Sequence, residues 1–455
     1  MRNFAQLALP PPLVQSIDAA GYTEPTPIQA AALPAILSGR DVIGQARTGS
    51  GKTVAFALGL LAALDVGATR LQGLVLCPTR ELADQVSREI RKLARFIPNV
   101  KVLTLCGGVP LRPHLASLTH EPHLVVGTPG RILELIEQDA LPLAGIRVLV
   151  LDEADRMLDM GFADDIGAVV GKLPRERQTL LFSATFPDDI RALSRRFQCE
   201  PIEVTVAAPE GGDDIEQWFV EVDAPRKADA LAAILSERAP ESTLVFCNTR
   251  HDTRAVAEDL ERRGFGVLAL HGELDQRERE EMLVRFANRS ARVLVATDVA
   301  ARGLDIVGLP LVVNYDVASD ADIHLHRVGR TGRAGASGVA ITLCAPKEAT
   351  RANVIEARQG KPLRWAKAPT ARGKALVAGF ATLAIDAGRQ DKLRPGDVLG
   401  ALTGSAGLTG DAVGKIDVFP TRTYVAVVAD KANAALARLR AGKIKGRTLR
   451  VRKIG

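Results

Sequence analysis

Short apolar runs that stop abruptly at a polar or small-residue cluster alternate along this chain with segments whose apolar positions recur every three or four residues. Residues 74–77 stop at Pro78, and the segment behind them carries Leu82, Val86, Ile90 and Leu93 at helical spacing. Residues 41–44 begin the series, and residues 124–126, 148–151 and 179–182 continue it. This alternation predicts an α/β fold with a parallel sheet. The polar clusters then gather at the downstream strand ends, the edge where open α/β sheets bind ligands.

Residues 207–214, with Pro209, paired glycines and paired aspartates, read as a linker. A second α/β series follows, with strands expected at 243–246, 267–270, 293–296, 311–313 and 339–343. Residues 361–374 contain Pro362, Pro369 and Gly373 among several bases and read as another linker. Beyond it, strands at 381–386, 423–428 and 448–451 and a helix at 432–439 make a small α/β module. The expected domains are therefore 1–206, 215–360 and 376–455, joined by linkers 207–214 and 361–375.

Composition changes this picture little, because 47% hydrophobic and 25% charged residues are ordinary for a globular chain of 455 residues. No apolar run reaches about 18 residues, and the N-terminus lacks a basic-then-apolar signal plan, so a cytoplasmic protein without a membrane partner is expected. The five cysteines form no Cys-x-x-Cys pair, which argues against a disulfide framework or a zinc site. Charge is more informative once located. Residues 376–455 hold 14 Lys and Arg against 6 Asp, a net of +8 against +6 for the whole chain, so the rest of the chain is slightly acidic. Residues 431–455 hold nine bases and no acid, which suits a polyanion such as nucleic acid.

The candidate chemistry sits in two of the strand-end clusters. After the first strand come Ala46, Thr48, Gly49, Ser50, Gly51, Lys52 and Thr53, and a helix follows. Backbone N–H groups of such a small-residue loop converge on phosphates, while Lys52 adds a positive charge and Thr53 a hydroxyl for Mg²⁺. The first glycine of the usual phosphate-loop pattern is replaced by Ala46. About 100 residues later, 148–151 run into Asp152, Glu153, Ala154 and Asp155. A phosphate loop and a strand-end aspartate together supply both halves of a Mg²⁺–nucleotide site. The second series has no such loop, but it offers Arg302, Arg330 and Arg333 in Arg-Gly or Gly-Arg contexts, suited to charge on a transferring phosphoryl group.

With these motifs in order, the first 350 or so residues resemble the DEAD-box ATP-dependent RNA helicases. The matches are Gly-Tyr-Thr-Glu-Pro-Thr-Pro-Ile-Gln at 21–29, the Ala46 phosphate loop, 78–82, Gly107-Gly108, 128–131, Asp152-Glu153-Ala154-Asp155 and Ser183-Ala184-Thr185. In the second series they are 245–249, 276–279, 296–305 and 326–333. The resemblance implies two tandem RecA-like domains using ATP and Mg²⁺. Gln29 would read adenine, with Tyr22 and Phe4 packing near it. Lys52 and Thr53 would hold the phosphates and metal, Asp152 the metal shell, and Glu153 would be the base for the attacking water. Asp155, Ser183, Thr185 and Arg302 would couple nucleotide state to RNA, Arg330 and Arg333 would be arginine fingers, and Asp305 a ribose contact. Pro78, Thr79, Arg80, Gly108, Thr128, Arg131, Thr249, Gly272, Thr297 and Asp298 would lie along the RNA backbone. His324 departs from the family, which usually has Tyr there.

The tail partly resembles an RNA recognition motif. Such sheets stack bases on aromatic rings, yet Tyr424 is the one ring at the candidate positions, beside Thr382, Ala384 and Arg422. RNA is therefore expected on the basic stretch, at Lys443, Lys445, Arg447, Arg450 and Lys453. With 396–402 and 413–417 included, the tail resembles the C-terminal domain of the bacterial DbpA helicases. That resemblance implies targeting to a hairpin of 23S ribosomal RNA or pre-50S particles, and a role in ribosome assembly. The chain is expected to be a monomer, since a basic tail would repel itself across a symmetric interface. The competing reading is an ATP-gated RNA clamp or chaperone.

Overall fold

The computed structural model describes residues 3–46, 49–186, 188–206, 215–301, 308–332, 338–369, 375, 377–404 and 407–454. These fall into two compact units, the first holding one sheet and the second holding two. The linker expected at 207–214 lies outside the described residues.

The first sheet contains β1 (Val42–Gln45), β2 (Gly73–Leu76), β3 (Val102–Leu105), β4 (Leu124–Gly127), β5 (Val148–Asp152), β6 (Gln178–Ser183) and β7 (Ile202–Thr205). All pairings are parallel, in the order β3-β4-β2-β5-β6-β1-β7. Alternate residues of the central strands feed two cores. Leu149 and Leu151 of β5 join Leu74, Leu76 and Leu181 on one face, while Val148 and Val150 join Val75 and Leu180 on the other. Burial on both faces is why these strands read as unbroken apolar runs.

The helix Arg80–Leu93 buries Leu82, Val86, Ile90 and Leu93, the predicted stripe. Thr79 caps it by accepting the Leu82 N–H at 3.3 Å, and Glu81 in its first turn and Arg91 and Lys92 in its last complement the helix dipole.

The second sheet contains β8 (Ile215–Glu221), β9 (Thr243–Cys247), β10 (Val267–Leu270), β11 (Val293–Thr297), β12 (Leu311–Asn314), β13 (Gly338–Cys344) and β14 (Trp365–Lys367), ordered β10-β11-β9-β12-β13-β8-β14. Here the structure departs from the expected linker at 361–375, because β14 pairs with β8 along this sheet's edge. The Trp365 ring lies 5.5 Å from that of Phe219. Proline and basic residues around it masked an edge strand that pairs with β8 and sets Trp365 beside Phe219.

The third sheet is antiparallel, with β15 (Phe380–Ile385), β16 (Val413–Val418), β17 (Thr423–Val428) and β18 (Val451–Ile454) in the order β16-β17-β15-β18. Helices Pro395–Thr403 and Ala432–Ala441 contribute Val398, Leu402, Ala435 and Leu439 to the core against Leu383, Ile385, Val425 and Val427. β18 starts later than the pattern suggested, after a turn in which Lys445 and Gly446 both have positive φ. Among the described residues no helix is long and apolar enough to cross a membrane.

Candidate nucleotide and RNA sites

Strand order divides the downstream edge of the first sheet into two halves. The phosphate loop follows β1, Glu153 and Asp155 follow β5, and Ser183 and Thr185 end or follow β6; these three strands are contiguous. Pro78, Thr79 and Arg80 follow β2, Thr128 and Arg131 follow β4, and Gly108 follows β3, which form the other contiguous half. The two sets meet where β2 pairs with β5.

In the nucleotide half, Gly51 adopts φ +96° at the N-cap of helix Lys52–Ala62, and Gly49 has φ +82°. These left-handed values suit glycine. The Ala46 N–H donates to the Ser183 carbonyl at 3.0 Å, tying the start of the loop to β6. Gln29 is engaged at both ends of its amide. Its Oε1 accepts the Thr26 N–H at 2.9 Å in a capping box, and its Nε2 donates to the Gly51 carbonyl at 3.0 Å. It therefore braces the phosphate loop directly, a tie that its sequence position did not reveal. Tyr22 donates its hydroxyl to Glu89 at 2.6 Å, and the Lys92 ammonium lies 4.6 Å from its ring centre. Phe4 is buried in the core beside the first helices. Thr48 lies outside the described residues.

Lys52 Nζ, Ser50 Oγ and Asp152 Oδ1 are buried without a hydrogen-bond partner. Burial pushes the Asp152 carboxyl up to about 7, against the opposing pull of Lys52 and with reinforcement from Glu153. An orphaned ammonium and an orphaned carboxylate oxygen, with the Thr53 hydroxyl one residue from Lys52, fit a phosphate chain and its cation. Among the described residues no group of three His, Cys, Asp or Glu could hold a metal.

Glu153 has φ +53°, an uncommon backbone state for a non-glycine residue. Its Oε2 accepts a 2.7 Å hydrogen bond from Arg156 Nη1. Asp155 Oδ2 accepts from both the N–H and the hydroxyl of Thr185, at 3.0 and 2.9 Å, and the Asp155 N–H donates to Ser183 Oγ at 3.3 Å. The three expected coupling residues in this unit are thus one hydrogen-bonded group. Arg302, also expected there, lies outside the described residues.

In the other half, residues expected along RNA have protein partners. Arg131 donates to Glu134, to the Val109 carbonyl and toward His114, and Arg80 pairs with Asp84 at 3.9 Å. Thr128 Oγ1 accepts the Gly107 N–H at 3.2 Å, and Gly108 has φ +77°.

In the second sheet, Gly272, Thr297 and Thr249 follow or end the neighbouring strands β10, β11 and β9. Thr249 caps helix Arg250–Arg262 by accepting the Asp252 N–H at 3.0 Å. Asp298 is held by Arg327 through two contacts of 2.7 and 2.6 Å, and Arg327 also donates to Asn248 and to the Asp316 carbonyl. Arg327 is 1% exposed, so it is a buried clasp joining the chain after β9, β11 and β12. Neither Arg327 nor Asn248 was singled out as a site residue, because their role is visible only once β9, β11 and helix Ala321–Val328 are assembled. Arg330 is buried just beyond that helix, while Asp305 and Arg333 lie outside the described residues. His324 is buried against Phe219, and desolvation pushes its imidazole down to about 4.

Residues 26–193 match the DEAD/DEAH box helicase profile, 226–335 the helicase conserved C-terminal domain, and 382–453 the DbpA RNA binding domain. The chain is 54% identical over 454 residues to the ATP-dependent RNA helicase DbpA of Escherichia coli K12, covering 99% of each. The chain belongs to the DEAD-box ATP-dependent RNA helicases. It is also 43% identical over 371 residues to the helicase CshA of Bacillus cereus, covering 81% of this chain and 70% of the relative. Among solved structures, S. cerevisiae Dbp5 bound to RNA and ADP BeF3 is similar with a TM-score of 0.73 and 29% identity, over 81% of this chain and 96% of that one.

In this helicase the DbpA-type domain does not present its sheet to solvent. The face carrying Thr382, Ala384 and Tyr424 packs on helix Gln276–Ala287 and the turn after it. Val284 clusters with Ala384, Tyr424 and Ile454, Asn288 Nδ2 donates to Thr382 Oγ1 at 2.8 Å, Ser290 Oγ meets the same hydroxyl at 2.6 Å, and Arg452 pairs with Glu281 at 3.1 Å. Tyr424, the one candidate stacking ring, is fully buried. Lys443, Lys445, Arg447, Arg450 and Lys453 are all exposed.

Proposed function

We propose that this helicase binds ATP with Mg²⁺ on the first sheet, hydrolyses it when RNA occupies the adjoining strand ends, and locally separates short duplexes. The observation that carries this reading is the buried, unpartnered pair Lys52 Nζ and Asp152 Oδ1 beside the phosphate loop. Mg²⁺ bound with ATP supplies neutralising charge to the β and γ phosphates. Lys52 holds the same phosphates, Asp152 and Thr53 hold the metal shell, and Gln29 positions both the loop and the adenine. Glu153 accepts the proton of the water whose oxygen attacks the γ phosphorus as the bond to the β-phosphate oxygen breaks. Arg330 and Arg333 offer charge to the transferring phosphoryl group, and Asp305 contacts the ribose. Asp155, Ser183 and Thr185 pass the nucleotide state to the RNA-facing loops.

The RNA lies along Pro78, Thr79, Arg80, Gly108, Thr128 and Arg131 on one sheet and Thr249, Gly272, Thr297 and Asp298 on the other, as a backbone read without sequence. The exposed bases of the tail direct the enzyme to a hairpin of 23S ribosomal RNA in pre-50S particles. The protein works as a cytoplasmic monomer. The test compares ATP turnover stimulated by a hairpin-containing ribosomal RNA fragment with turnover on an unrelated RNA of equal length. Preference for the fragment, lost when Lys443, Arg447 and Arg450 are changed together to Glu, is expected. Equal stimulation by both RNAs in the unaltered protein refutes the targeting.

A further inference from the structure

We infer that Arg156 is a positioning residue for hydrolysis, holding the Glu153 carboxylate in the geometry from which it accepts the proton of the attacking water. This rests on the proposed role of Glu153 as the base. Arg156 Nη1 lies 2.7 Å from Glu153 Oε2, and the two side chains are each 5% exposed. An ion pair between water-exposed groups shifts among many arrangements, whereas a buried one is confined to few. Tethering Oε2 at 2.7 Å narrows the orientations open to the carboxylate.

The surroundings show why a tether is needed. Glu153 follows Asp152 directly in the chain and both are buried, so two acidic side chains are crowded at this strand end. Lys52 Nζ is buried and makes no hydrogen bond. The backbone at Glu153 leaves the strand with φ +53°, and Asp155 two residues on is bound to Thr185. Arg156 pairs with Glu153 across one turn at the start of helix Ala154–Asp159. Its own N–H donates to Asp155 Oδ1 at 3.0 Å, so the same residue touches the base and the coupling group. A buried ion pair is weak evidence of a stabilising role, since apolar side chains of similar volume would fill the space as well. Its presence against the base points to orientation of that base.

The experiment measures steady-state ATP turnover at saturating RNA for the full-length protein and for Arg156→Met and Arg156→Lys. Arg156→Met is expected to lower kcat by about 10- to 100-fold while leaving KM for ATP within about threefold, since misplacing a reacting group costs that much without weakening binding. Arg156→Lys keeps the charge and is expected to restore most of the loss. Binding of a fluorescent ADP analogue checks that both variants keep the nucleotide site. A crystal structure of nucleotide-free Arg156→Met is expected to show Glu153 moved from its present position. Unchanged or raised kcat in Arg156→Met overturns the inference, as does a loss confined to KM or equal losses in both variants. If Arg156→Met does not fold, Arg156→Lys against Arg156→Gln makes the same comparison. Failure of the base assignment shows separately, as normal turnover in Glu153→Gln.

Discussion

Thr185 binds Asp155 twice, through its N–H at 3.0 Å and its hydroxyl at 2.9 Å, both to Oδ2. One carboxylate oxygen thus joins the acidic end of β5 to the loop after β6. Thr185→Val removes the hydroxyl contact and keeps the backbone one. A hydrogen bond to a charged group contributes about 1.5–3 kcal/mol. Strand displacement is expected to fall by about tenfold with ATP affinity kept, measured by a duplex-release assay beside nucleotide binding.

Gly51→Ala tests the brace at the phosphate loop. A Cβ on Gly51 would run into the Gln29 amide and would lie 2.8 Å from Thr26 Oγ1, at a backbone φ of +96°. Strain of about 1–3 kcal/mol is expected there. The readout is affinity for a fluorescent ADP analogue, which should weaken at least about tenfold, and Gln29→Ala should weaken it in the same direction.

Glu153→Gln preserves shape but cannot accept a proton. Hydrolysis is expected to fall by about 10²- to 10⁴-fold, with ATP and RNA binding retained in equilibrium titrations.

His324 gives the stability a pH dependence. Its imidazole is buried against Phe219 with Nδ1 unpartnered, and its value drops from 6.5 to about 4. Between those limits the unfolded chain binds the extra proton, so stability rises with pH. The contribution is complete above about 6.5 and is lost as pH falls toward 4, a change of up to about 3 kcal/mol. Denaturant unfolding at pH 7 and pH 5 should show this loss in the native chain and a smaller one in His324→Gln.

Thr382 seals the tail to the second sheet's helix. Thr382→Val keeps the volume but strands Asn288 Nδ2, which donates to it in a buried position. The expected cost is about 1–3 kcal/mol, seen as faster amide exchange in helix Gln276–Ala287. Affinity for RNA through the exposed bases of 443–453 should change little.

The element pattern was readable because its causes are local. Leu82, Val86, Ile90 and Leu93 make a stripe whatever surrounds them, and the run ending at Asp152 is apolar because both its faces are covered. β14 was not readable, because three residues between prolines and bases become a strand only by pairing with β8, which is distant in the chain. Nor was the fate of Tyr424. Its sequence position suits a base-stacking ring, yet Val284, far away in the chain, covers it.

By itself the sequence determined which residues could do chemistry: a phosphate loop around Lys52, carboxylates at Asp152, Glu153 and Asp155, and a basic tail. Tertiary structure decided which of them are neighbours. The order β3-β4-β2-β5-β6-β1-β7 sets β1 beside β6 and β2 beside β5, so the loops carrying Lys52, Glu153 and Ser183 form one half of an edge and those carrying Thr79, Gly108 and Thr128 the other. Hydrophobic periodicity encodes which face of a strand is buried, whereas the partner beside it follows from the helical crossovers and from long-range packing. The same packing buried Arg156 against Glu153 and Arg327 against Asp298.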